Sequence, residues 1–272
     1  VTTPHPFNTG FRWQRVGDPS NPRHLPADLI EQFNNDGYCR VDNAFSSKTI
    51  HELIEAIDPW EARATEFLRT QPGEELFIAQ ADAITFTVHL VSHEPTCQQF
   101  SRHDSLLGIV SDLVGDDVSM YWDQAVYKKP EQVREFPWHQ DNGYAFVEPQ
   151  QYLTCWVPLT DATIENGCPW VAPGLHLGGT LEHRASRFGL SCFDAFEGAV
   201  PVEAPAGSVV VFSSLTPHRT GPNLTDQVRK AYIVQYAPTG AVVIHGRNRR
   251  EHAPASDPIR QYEVLRRGQR VS

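Results

Sequence analysis

Residues 205–238 read PAGSVVVFSSLTPHRTGPNLTDQVRKAYIVQYAP. The run Gly207–Phe212 is apolar and β-branched, the composition that fits a half-buried strand. Pro217 breaks the segment just before His218, so this imidazole falls at a strand end. Gly221, Pro222 and Asn223 then make a turn, and Arg229 opens a second strand that continues to Tyr236. The pair reads as a hairpin with His218 and Arg229 on neighbouring antiparallel strands. Short runs of the same texture recur at 118–128, 151–159 and 168–172, separated by Gly, Pro and Asn, which points to a sandwich or barrel.

The first half of the chain has a different period. Pro26–Asn35 reads as a helix with Leu29, Ile30 and Phe33 on one stripe, ended by Asp36-Gly37 and followed by a strand at Tyr38–Val41. Ser46 or Ser47 can cap a second helix through Ile50, Leu53, Ile54 and Ile57; Pro59 to Glu75 is undecided by pattern, although Trp60–Leu68 fits a helix. Ala83–Val91 favours a strand, and 104–114 a third helix stopped by Gly115. One domain over 1–272 is expected, with 1–25 as an N-terminal extension, 178–199 as a lid or insert, and 241–272 as a basic C-terminal tail.

Hydrophobic residues make up 40% of the chain, enough for a sizeable core. The net charge of −10 argues against a nucleic-acid binder. From Ala241 onward seven Arg face three acids, a local +4, so the remainder carries −10 − 4 = −14; that basic stretch reads as a solvated face. Five scattered cysteines without a Cys-x-x-Cys pair read as reduced thiols. The first residues lack the basic and apolar regions of a signal peptide, and no apolar run has the length of a membrane span, so a cytoplasmic protein is expected, without a membrane partner.

His139-Gln140-Asp141 places an imidazole and a carboxylate two residues apart, a spacing that projects both to one side of an extended segment. A second imidazole from elsewhere completes two nitrogens and one oxygen on one face of a metal. That is the facial triad of non-haem iron(II) oxygenases, which leaves the opposite face open. His-x-Asp arises by chance in many chains, and there are 12 histidines here. His218 is selected by its strand-end position, by Pro217 before it and by the turn after it. Arg229 carries a permanent charge on a planar fork that suits a dicarboxylate such as 2-oxoglutarate. Spacing alone leaves open whether it is that partner or an exposed charge.

In family order and spacing, several pieces resemble the phytanoyl-CoA dioxygenase family, whose members use iron(II) and 2-oxoglutarate. They are FNNDGYCRVDNAFS, LLGIVSDLVG, WHQDNGY, LTCWVPLTDATIENGCPWVAPGLH and the 205–238 segment, together spanning roughly 26–238. The resemblance implies a mainly β fold with flanking helices, the double-stranded β-helix or jelly roll of cupin-like proteins. It implies His139, Asp141 and His218 as iron ligands at the catalytic centre and Arg229 as partner of the distal carboxylate of 2-oxoglutarate. Thr220 would supply a hydroxyl to the same carboxylate. Thr154 would contact the co-substrate, Trp156 would line its pocket, and Gln124 would lie near co-substrate or substrate. The implied activity is hydroxylation of an unactivated C–H bond of a small-molecule substrate by molecular oxygen, with release of succinate and carbon dioxide. A carboxylate at 141, where related halogenases carry a small residue, favours hydroxylation over halogenation. Tyr144, Phe146, Phe193 and Phe196 suggest an apolar substrate. Two alternatives stay open: the same cofactors diverted to desaturation, epimerisation or cyclisation, and a catalytically silent jelly-roll binding protein.

Overall fold

The computed structural model describes residues 2–130, 135–245 and 251–271. Helix α1 (Ala27–Asp36) buries Ile30 and Phe33 and ends on Gly37, whose φ of 84° is the left-handed cap that glycine adopts without strain. Strand β1 (Tyr38–Val41) follows directly. Helix α2 (Ser47–Arg69) is capped by the Ser46 hydroxyl, which accepts from Thr49 N–H, and it runs unbroken through Pro59. The stretch that pattern left undecided is therefore mostly helical. Burial of Leu53, Ile57 and Leu68 on one face offsets the single backbone bond that a proline removes. Helices α3 (Pro95–Phe100) and α4 (Asp104–Leu113) complete the helical layer.

The remaining strands that matter for the site are β2 (Ile84–Val88), β3 (Val118–Lys128), β4 (Phe136–His139), β5 (Leu153–Pro158), β6 (Pro169–Val171), β7 (Val200–Pro201), β8 (Val209–Ser213), β9 (His218–Thr220) and β10 (Arg229–Pro238). The large sheet runs β1-β8-β5-β10-β3-β2 and is antiparallel throughout. The small sheet runs β7-β6-β9-β4. Side chains alternate across a strand, so each strand of the large sheet feeds two cores. Cys155, Val157, Tyr232 and Val234 pack under the helices with Leu53, Ile57, Leu106 and Val110. Trp156, Val210, Phe212 and Ala231 point the other way and meet Val171 of the small sheet. Two antiparallel sheets packed on a shared interior, with helices outside the larger one, form the expected jelly roll.

One expectation is corrected. His218 and Arg229 do not lie on neighbouring strands of a hairpin: β9 pairs with β4 and β6, whereas β10 pairs with β3 and β5. The Gly221-Pro222-Asn223 turn carries the chain from one sheet to the other. Pro217 and Pro222 bracket β9 and keep it short, and the buried Asn223 amide fastens the crossing by donating to Lys128 O (2.8 Å) and Gln227 O (2.7 Å).

The C-terminal segment is built into the sheets. Val242–His245 pairs with Val147–Glu148, and Glu263–Arg266 adds to the edge of β3 with Val264 and Leu265 buried. Residues 246–250 of the basic stretch lie outside the described residues. Within 178–199, Arg184–Ser186 and Gly189–Ser191 form a small hairpin. The five cysteines are free, and among the described residues no helix is long and apolar enough to cross a membrane.

Candidate active site

His139 closes β4 and stands directly opposite His218 of β9, with ring centroids 4.1 Å apart. Gln140 is extended, so Asp141, at the start of a 3-10 turn, returns to the same side as His139. One ligand atom from each of His139, Asp141 and His218 lies within 4.8 Å of the others, close enough to hold a single ion. Asp141 Oδ1 is 3.9 Å from His139 Nε2 and 3.8 Å from His218 Nε2.

Both rings are oriented from behind. His139 Nδ1 lies 2.8 Å from Pro137 O and His218 Nδ1 lies 3.0 Å from Thr216 O. A carbonyl only accepts, so each Nδ1 carries the proton and each Nε2 turns a lone pair to the centre. Burial, and then the neighbouring His218, hold His139 well below the usual imidazole range, in the neutral form that binds metals. Gln140 is wholly buried. Its amide donates to Gly179 O and Leu215 O and accepts from Leu181 N–H, and its own N–H donates to His183 Nε2 at 2.9 Å. The first residues of the supposed lid are thus stapled to the metal segment.

The large sheet presents its inner face in rows of cross-strand partners. One row is Val88, Gln124, Ile233, Trp156 and Val210. The next is Trp122, Gln235, Thr154 and Phe212, and Phe212 meets the His218 ring at 4.3 Å. Arg229 lies at the other end, opposite Lys128, with its guanidinium carbon 5.4 Å from the Trp156 ring centroid.

Arg229 is only 1% exposed, and none of its three guanidinium nitrogens has a hydrogen-bond partner among the described residues. Burial lowers its pKa to about 10, which leaves it charged at neutral pH. A buried, unpaired guanidinium is costly, and a planar carboxylate is the group that would satisfy it. The donor set of two imidazoles and one carboxylate suits iron(II), and the orphaned fork suits a dicarboxylate. The residues present therefore fit both groups.

The expected site residues separate into groups. His139, Asp141 and His218 come together, as do Arg229 and Trp156. Thr220 sits on β9 beside Gly221, whose carbonyl accepts from the buried Lys128 ammonium. Gln124 shares a row with Trp156, and its Oε1 accepts from Trp122 Nε1 at 3.3 Å. Thr154 is the exception: its hydroxyl donates to Asp141 Oδ2 at 2.5 Å, and it accepts from Gln235 Nε2 at 3.1 Å. Sequence reasoning missed Gln235; its one signal is an amide inside the apolar run AYIVQYAP.

The aromatic candidates also divide. Tyr144 sits edge-on to His139 at 5.4 Å. Phe146 packs on His5 and Phe7. Phe193 lies against Trp138 at 5.4 Å, with Phe196 behind it. Trp138 precedes His139 on the strand and so faces the opposite side of the small sheet, which removes Phe193 and Phe196 from the metal side. Phe136, three residues before His139, nevertheless meets its ring at 4.6 Å, because a register shift between β4 and β9 breaks the alternation over this stretch.

The family model for phytanoyl-CoA dioxygenase (PhyH) matches residues 33–231. A probable phytanoyl-CoA dioxygenase of Caenorhabditis elegans is 28% identical over 238 residues, covering 78% of this chain and 75% of its own. An ectoine dioxygenase of Stutzerimonas stutzeri is 25% identical over 266 residues, covering 82% of each chain. Among solved structures, the non-haem α-ketoglutarate-dependent carbocyclase SnoK from nogalamycin biosynthesis superposes with a TM-score of 0.71 at 21% identity, covering 92% of this chain and 100% of that one. This chain belongs to the phytanoyl-CoA dioxygenase family of iron(II)- and 2-oxoglutarate-dependent oxygenases.

Proposed function

We propose that this protein hydroxylates an unactivated C–H bond of a small, apolar metabolite, with His139, Asp141 and His218 holding iron(II) and Arg229 receiving the distal carboxylate of 2-oxoglutarate. The observation that carries the reading is Arg229: a buried fork without a hydrogen-bond partner among the described residues, beside Trp156 and in the same interior as the three-residue cluster. A silent binding fold has no use for a cation kept unpaired at that position.

When bound, iron(II) and 2-oxoglutarate would supply with dioxygen the oxidant for the reaction. The protein's own contribution is placement. His139 and His218, each turning Nε2 inward, and Asp141 would hold the ion between them. Arg229, with Thr220 near the turn, would hold one end of the co-substrate through its distal carboxylate.

An apolar substrate is supported by what surrounds His139. Phe136 and Tyr144 flank the ring. Phe86 contacts Phe136 at 5.9 Å, and Val88, on the same inner face, is 41% exposed. Gly189 approaches so closely that a Cβ there would lie 2.6 Å from Tyr144 Oη and 3.3 Å from Ile78. These side chains offer an apolar wall that holds a hydrocarbon portion of a substrate and excludes water.

The test is a panel of apolar candidates assayed for substrate-dependent succinate release, with product mass recorded. A gain of one oxygen supports hydroxylation, and a loss of two hydrogens points to desaturation or cyclisation. His139→Ala, Asp141→Ala and Arg229→Ala should each abolish coupled succinate formation; unchanged turnover in Asp141→Ala would remove the ligand assignment.

A further inference from the structure

We infer that Thr154 and Gln235 form a positioning relay for Asp141, and that Thr154 does not serve the co-substrate. The inference rests on the proposed metal centre. Three observations carry it, two on adjacent strands and one on Asp141 itself. Thr154, on β5 and 1% exposed, donates its hydroxyl proton to Asp141 Oδ2 at 2.5 Å. Gln235, its cross-strand partner on β10, donates from Nε2 to the same hydroxyl oxygen at 3.1 Å. Asp141 Oδ1, the other carboxylate oxygen, is the one that faces both imidazoles.

Proton counting fixes the direction of this chain. A threonine hydroxyl has one proton, and an ionised carboxylate only accepts. The Thr154 proton is therefore committed to Asp141, and Gln235 must present its amide N–H rather than its carbonyl. 2-Oxoglutarate at neutral pH carries only acceptor oxygens. Thr154 has no proton left for it while the bond to Asp141 stands.

Two consequences follow for the metal ligand. With Oδ2 engaged from the large sheet, Asp141 would offer Oδ1, the oxygen nearer both imidazoles, to the ion. The carboxylate is also held in place before any ion arrives, so less ordering is needed on binding. Gln235 acts at one remove, by orienting the hydroxyl.

The test uses Co(II) as the probe metal, titrated into the metal-free full chain without 2-oxoglutarate. Affinity is followed by calorimetry and by the visible absorption of the bound ion. Thr154→Val keeps the shape and removes the proton; Co(II) affinity should fall about 10–100-fold, with a changed absorption band. Thr154→Ser should restore both. Gln235→Leu should shift affinity the same way by a smaller factor. The inference is overturned if Thr154→Val binds Co(II) like the unaltered chain and instead loses affinity for 2-oxoglutarate in the Co(II) form, since the hydroxyl would then serve the co-substrate. If Thr154→Val does not fold, Gln235→Leu decides: unchanged affinity and spectrum reject the relay. His139→Ala separates this from the parent reading. Undiminished Co(II) binding in that variant removes the metal centre itself, whereas loss there beside a normal Thr154→Val removes only the relay.

Discussion

A guanidinium buried without a hydrogen bond lowers stability wherever it sits, and Arg229 has none among the described residues, so it is kept at a cost to the fold. Replacing it separates stability from binding. In Arg229→Met the charge and its desolvation disappear while most of the packing against Trp156 is kept. The metal-free variant should melt at or above the temperature of the unaltered chain, whereas its affinity for 2-oxoglutarate in the Co(II) form should drop by about 2–5 kcal/mol. Paired calorimetry and thermal melts check both halves. A variant that is destabilised yet still binds the keto acid normally would make Arg229 a structural residue. Arg229→Lys is expected to fall between the two, because an ammonium cannot reproduce the two-pronged contact of the fork.

Elements position these residues from a distance, and the corner between α1 and β1 is one such support. Gly37 presses on the loop before His218: its carbonyl accepts from Thr216 Oγ1 at 2.7 Å, and Thr216 O in turn accepts from His218 Nδ1. A Cβ at Gly37 would lie 2.4 Å from Thr216 Oγ1 and 2.6 Å from His176 Nδ1, at a φ that disfavours side chains. Gly37→Ala should therefore cost about 2–4 kcal/mol in urea unfolding, and weaken Co(II) binding through displacement of His218; a neutral effect on both would mean the corner is slack. A second tie joins β3 to the turn after β2. Asp123 accepts from Val91 N–H and Tyr232 Oη–H, while its Oδ1 has no partner among the described residues. Burial raises its pKa from 3.8 to about 6, against the lowering effect of those bonds. The folded state thus favours the protonated acid. Its contribution is fully present below pH 3.8 and is lost as pH rises through about 6. Asp123→Asn should remove this dependence, so that the variant gains on the unaltered chain by up to about 3 kcal/mol between pH 4 and 7. Denaturation midpoints of the two chains across that range measure it, and parallel curves would show that Asp123 does not titrate there.

At the scale of the molecule, periodicity was enough to find α1, α4 and the strands β1, β3, β5, β8 and β10, because each buries residues at its own characteristic spacing. The pairing of His139 with Asp141 was legible for a local reason: one extended residue, Gln140, separates them. The sheet that β9 joins was not legible. A three-residue strand bracketed by prolines carries no period, and its partners come from β4 and β6, far away in the chain. The role of Thr154 was hidden likewise, since its neighbours Asp141 and Gln235 converge only after both sheets have formed. This convergence also has a mechanical consequence. The small sheet contributes His139 and His218, while Asp141 is tied to the large sheet through Thr154 and Gln235. An ion bound by all three would pin one sheet to the other. Co(II) at about 100 times its dissociation constant should stabilise the fold by about 2.7 kcal/mol, a rise of about 3–6 °C in melting temperature. The added protection should not be uniform. Amide exchange should slow most in β4, β9 and the 140–144 turn, and least in α2 and α4, which face the other core. A chelator should reverse the pattern. Equal slowing across helices and both sheets would show that the ion stabilises the chain without joining its layers, and no slowing in β4 and β9 would place the ion elsewhere.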